Sequence, residues 1–142
     1  MGARQEEGNA MSVEVIQPDT VHETRNFAYS HAVRLGDLVF VAGQVPRAKD
    51  GSTVAPGDVK GQTEQVFANL RAVLEAAGSS LERVGKVTVF TTDLSYRPAI
   101  HEVRHRIFGE IGHYPASTMV VVKSLADPAW LIEIEAVALA GQ

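Results

Sequence analysis

From Ser12 onward the chain alternates between apolar and polar positions with a readable period. The stretch "SVEVI" (12–16) alternates briefly, and "AYSHAVRL" (28–35) reads as a strand. Gly36-Asp37 supplies a turn into "LVFVAGQV" (38–45), a β-branched apolar run suited to a buried strand, so the two form a hairpin. Pro, Gly and Asp mark 46–58 as a loop. Asp58 then caps a helix running to about Ala77, with Val66, Leu70, Val73, Leu74 and Ala77 on one face and Gly78 as its stop. "VGKVTVFTTD" (84–93) is a strand. A second helix runs from about Pro98, its apolar face being Ile100, Val103, Ile107, Phe108 and Ile111. Two further strands, 117–125 and 131–140, are joined by a loop containing Pro128 and Trp130.

The order β-β-β-α-β-α-β-β predicts an α+β fold, with two helices on one face of a mixed sheet. One helical layer leaves the second sheet face bare. "LVFVAGQV" and "MVVV" are apolar on both faces, which predicts that another subunit covers it. Residues 1–10 are polar and patternless, and read as a disordered leader or cloning remnant, with Met11 as an alternative start. Residues 11–142 then form a single domain.

Composition narrows the chemistry. The chain has 142 residues, enough for one well-packed domain, and no cysteine, which removes disulfides, zinc ribbons and thiol nucleophiles. No apolar run reaches membrane-spanning length and no apolar signal core opens the chain, so a cytoplasmic protein without membrane contact is expected. A formal net charge of −4 argues against a nucleic-acid partner.

One motif competes for attention. "HEVRH" (101–105) matches the zinc-protease pattern, which would place His101 and His105 on one helical face with Glu102 beside them. The helix must turn Ile100, Val103, Ile107 and Phe108 to the sheet, which sends both histidines to its flank. Phe108 stands where an extended zincin motif needs glycine, and Ile111 where it needs histidine. No metal site is expected.

Three blocks, "YSHAVRLGDLVFVAGQVP" (29–46), "QTEQVFANLRAVLEAAGSSLERVGKVTVFTTDL" (62–94) and "LIEIEAVA" (131–138), resemble the RidA (YjgF/YER057c/UK114) family, older name endoribonuclease L-PSP, in order and spacing. The resemblance implies a chorismate-mutase-like fold assembled as a homotrimer, with clefts between subunits. It also implies cofactor-independent deamination of small enamines and imines such as 2-aminoacrylate. Glu133 matches the glutamate assigned to the water, although the same alternation reads equally as an exposed strand residue. Tyr29 matches a cleft-lining tyrosine and Gly43 a backbone position near the ligand, while Gln44, Thr63 and Asn69 match structural positions.

The chain departs from the family at one point. The family's P-A-R-S/T carries a carboxylate-binding arginine. Here "YPAST" keeps Pro115, Ala116 and Thr118 but puts Ser117 at the arginine position. Replacing a bidentate ion pair by one neutral hydrogen bond costs on the order of 1–3 kcal/mol. Lys123 shares the strand face of Ser117 but lies ~20 Å along it. Arg97 is the expected replacement cation, reaching in from the opposite wall; the alternative is that it points to water. The substrate-binding set is therefore Tyr29, Gly43, Arg97, Ser117 and Thr118, with Glu133 catalytic. Three functions compete: an imine deaminase with altered preference, a non-catalytic trimer binding small metabolites, and an endoribonuclease or translation inhibitor.

Overall fold

The computed structural model describes residues 12–141; the 1–10 leader and Met11 lie outside them. Six strands form one sheet: β1 (Glu14–Ile16), β2 (Ala32–Leu35), β3 (Leu38–Gln44), β4 (Val84–Thr91), β5 (Ala116–Val121) and β6 (Ile132–Leu139). Two helices, α1 (Val59–Ala76) and α2 (Arg97–Ile111), cover one side. The strand order is β1-β2-β3-β6-β4-β5, antiparallel except for the β4–β5 edge, where α2 makes the crossover a parallel pair requires.

The expected element order holds. So do both signals at the ends of α1. The Asp58 carboxylate accepts from the Gly61 amide (3.1 Å), and Gly78 takes a left-handed φ of +73°, letting Ser79 N–H reach back to the Leu74 carbonyl (2.8 Å). The strand expected from Ala28 starts only at Ala32. Ala28 is itself left-handed (φ 66°) after a short 3-10 turn at Arg25–Phe27, and the Thr24 hydroxyl donates to the Tyr29 carbonyl (2.7 Å), folding the segment back on itself. β4 stops two residues short of Asp93, whose carboxylate instead accepts from the Ser95 amide (2.8 Å). The strand expected over 117–125 likewise ends at Val121.

The core lies between helices and sheet. Val66, Leu70, Val73 and Leu74 of α1 and Ile100, Val103 and Phe108 of α2 are fully buried, against Val39, Val87, Val89, Ile132 and Ile134 of the sheet. Phe67 and Phe108 meet edge to face at 5.7 Å between centroids, and Arg106–Glu64 (2.7 Å) and Lys60–Glu102 (2.9 Å) tie the helices together at the surface.

Two buried amides hold the loops that flank the sheet's upper end. Gln62 donates to the Ala129 carbonyl (2.9 Å) and accepts from the Leu131 amide (2.8 Å), while Asn69 donates to the carbonyls of Val45 and Arg47 (both 3.0 Å). Among the described residues, no helix covers the opposite sheet face. Leu35, Leu38, Phe40, Val120 and Leu139 all stand exposed on it.

Candidate functional site

The alternation of β6 decides where chemistry can occur. Ile132, Ile134, Ala136 and Ala138 point into the core, which sends Glu133 and Glu135 to the open face. A β-bulge then shapes the ground beneath Glu133. Val41 pairs with Ala136 and Gln44 with Ile134, so Ala42 and Gly43 together stand opposite Glu135 alone. The Glu133 side chain lies over Gly43: a Cβ built there would come within 2.6 Å of the carboxyl carbon. The absence of a side chain at 43 is what admits the carboxylate.

That carboxylate is half-buried. Burial raises its pKa above the ordinary glutamate value, and the neighbouring Glu135 charge adds to the shift. Tyr29 feels the same charge. Its hydroxyl is pushed up by burial and then by Glu133, with Arg47 acting in the opposite sense. Arg47 completes this corner, its guanidinium 5.1 Å from the Phe27 ring centroid and 5.8 Å from that of Trp130, with Nε donating to the Gly51 carbonyl (3.0 Å). Behind the corner, Gln44 donates to His31 Nδ1 (3.2 Å) and His31 Nε2 donates to the His22 carbonyl (2.7 Å). Tyr29, Gly43 and Glu133 are thus brought together, and Arg47, not singled out in the sequence, lies close enough to Tyr29 for its charge to act there.

The remaining candidates lie elsewhere. Thr118 shares the open face, where its hydroxyl accepts from Lys86 Nζ (2.7 Å). Ser117, one residue earlier, points to the other side of the edge strand; its partner in the β4 ladder is the buried Val87. Adjacent strand residues face opposite ways, so one chain cannot aim Ser117 and Thr118 into a single cleft. The Ser117 hydroxyl accepts from Arg104 Nη1 of α2 at 2.8 Å. Arg97 is exposed at the start of α2, near enough that its charge, after burial, depresses the Arg104 pKa. Arg104 is the residue that sequence reasoning missed. The signal was present: it follows Arg97 by seven positions, close to two helical turns, and so shares its face.

The rest of "HEVRH" also has partners of its own. Glu102 is drawn to Lys60, the His101 and His105 rings sit 5.6 Å apart, and His105 stacks on Tyr114. Among the described residues, no three His, Cys, Asp or Glu side chains converge as a metal site would require.

A family model described as endoribonuclease L-PSP matches residues 22–140. The chain belongs to that family. This is the RidA/YjgF family whose sequence blocks it carries. A RutC family protein of Pyrococcus abyssi is 43% identical over 110 residues, covering 78% of this chain and 84% of the relative. The 2-iminobutanoate/2-iminopropanoate deaminase of Dermatophagoides farinae is 32% identical over 109 residues, 77% of this chain and 83% of its own. The crystal structure of E. coli TdcF with bound serine superposes with a TM-score of 0.82 at 33% identity, covering 90% of this chain and 99% of that one. Fold and family agree with the resemblance. No helix among the described residues is long and apolar enough to cross a membrane.

Proposed function

We propose that this RidA-family protein is a cofactor-independent hydrolase of small, amino-acid-derived imines and enamines, working in clefts between the subunits of a cytoplasmic homotrimer. The observation that carries the reading is Glu133, a half-buried carboxylate seated over Gly43 with its pKa raised by burial and by Glu135. Such a group is suited to take a proton from water as the oxygen attacks the imine carbon, and to return it to the departing nitrogen. The products are a carbonyl compound and ammonia. The activity named for the mite relative supports this reaction class.

Two features support the trimer. The open sheet face exposes a run of large apolar side chains, and the Glu133 corner and the Ser117 edge lie on opposite sides of one sheet. Contacts between neighbouring copies would unite them. Light scattering at micromolar concentration should give three times the chain mass; a monomer would overturn the assembly.

A second reading, a non-catalytic metabolite-binding trimer, is favoured by the serine at 117. The family's name, endoribonuclease L-PSP, keeps the endoribonuclease or translation-inhibitor reading as a third. Ammonia release from imines generated in situ by an amino-acid oxidase decides between them. Release that Glu133→Gln abolishes establishes the hydrolase. Binding without release establishes the binder. Cleavage of RNA that the same substitution abolishes establishes the nuclease.

A further inference from the structure

We infer that Arg104, reaching across from α2 to Ser117, is the cation that binds the substrate carboxylate in this protein. The inference rests on the imine-hydrolase reading for its substrate class and supplies what position 117 lacks. Three observations carry it.

The first is geometry. Ser117 Oγ accepts one hydrogen bond from Arg104 Nη1 at 2.8 Å, and no other acceptor among the described residues engages that guanidinium. A hydroxyl at 117 therefore aims the guanidinium, where the family arginine would itself occupy the place. The remaining N–H groups of the planar fork are left for a bidentate acceptor.

The second is charge. Arg25, Lys60 and Arg106 are each paired with a carboxylate, whereas Arg104 has none within ion-pair distance among the described residues, although it is half-buried. After burial, the charge that depresses its pKa is another cation, Arg97. A half-buried guanidinium with no carboxylate partner among the described residues is a site for an anion.

The third is room. A cavity of about 190 Å³ opens between α2 and the β5 edge, walled by Arg104 and Ser117 and by the rings of His101, His105, Phe108 and Tyr114. It admits an acid of a few carbons, with its apolar part against the rings and its carboxylate on the guanidinium. Arg97 is not among the residues lining it, and neither is Arg47, which is held against the Phe27 and Trp130 rings. The ligand class is a small monocarboxylate bearing an imine, enamine or carbonyl next to the carboxylate.

Titration with pyruvate and with uncharged pyruvamide, read by calorimetry and by NMR shifts, tests this on the full chain. Wild type should prefer pyruvate. Arg104→Gln, which keeps a donor for Ser117 but removes the charge, should weaken pyruvate at least tenfold and leave pyruvamide unchanged. Arg104→Gln combined with Ser117→Arg should recover pyruvate to within threefold, with thermal unfolding checking that each variant is folded. Three results would overturn the inference: wild type that does not bind pyruvate, equal affinity in Arg104→Gln, or an equal loss in Arg97→Gln. Imine hydrolysis measured in parallel separates the two readings. Arg104-dependent pyruvate binding without hydrolysis upholds the cation and ends the hydrolase. Hydrolysis whose KM is indifferent to Arg104→Gln does the reverse.

Discussion

The two faces of the sheet use the same strands for different ends. On the helical side, β6 contributes Ile132, Ile134, Ala136 and Ala138, all buried and none able to ionise. On the open side, the same strand contributes Glu133 and Glu135 beside Val137 and the exposed Leu139. Stability therefore resides in one set of side chains and reactivity in the interleaved set. A single substitution can reach one and spare the other.

The largest expected effect tests that separation from the reactive side. Glu133→Gln should lower imine hydrolysis by roughly 10²- to 10⁴-fold, the range for losing a positioned base. Because burial and Glu135 raise the folded-state pKa of Glu133, ionising it opposes folding. The neutral amide should therefore leave thermal stability at pH 7 unchanged or higher, and a large fall in melting temperature would break the comparison.

From the other face, Ile134→Ala should cost about 2–5 kcal/mol in denaturant unfolding, because a fully buried side chain leaves a cavity against the helices. Its effect on the rate of the folded fraction should be small, although Glu133 is next in sequence. Gly43→Ala makes the converse case. The new methyl displaces the Glu133 carboxylate, whose flexible side chain can yield, so activity should fall at least tenfold while stability changes by about 1 kcal/mol or less.

A smaller effect belongs to the layer behind the site. His22 is buried with its Nδ1 lacking a partner among the described residues, and its pKa is lowered to about 4 by burial first, then by His31 and Arg47. The unfolded chain binds a proton near pH 6.5 and the folded one only near 4, so stability should fall as the pH drops through that window. The loss attributable to His22 is on the order of 3 kcal/mol. Comparing the pH dependence of unfolding with that of His22→Gln isolates it; parallel profiles would refute the assignment. The smallest effect is at the α1 cap, where Asp58→Ala should cost about 1 kcal/mol and leave the chemistry untouched.

Much of this organisation was legible in the chain. Turn and cap chemistry at Gly36, Asp58 and Gly78 acts locally, and both helices show their buried faces through spacing alone. Glu133 was legible as a polar residue alternating with isoleucines. The division between Ser117 and Thr118 was also implicit in strand alternation, but the family motif runs straight through both. Arg104 was hidden for a different reason. Its contact with Ser117 depends on how α2 is rotated above the β5 edge, a tertiary quantity that no local pattern encodes. The late start of β2 escaped because a left-handed alanine at 28 carries no sequence mark.

The extra residue in β3 acts like a frameshift. Val39 and Val41 face inward, and strict alternation would next send 43 and 45 to the core and turn Gln44 outward. The bulge at Ala42 and Gly43 resets the count, so that Gln44 is buried, 1% exposed, where it can hold His31. Removing Ala42 would therefore do more than shorten a strand. It would put every residue from 43 to the loop out of phase, expelling Gln44 from the histidine layer and carrying Gly43 from beneath Glu133. The position should thus accept changes of side chain far more readily than a change of length.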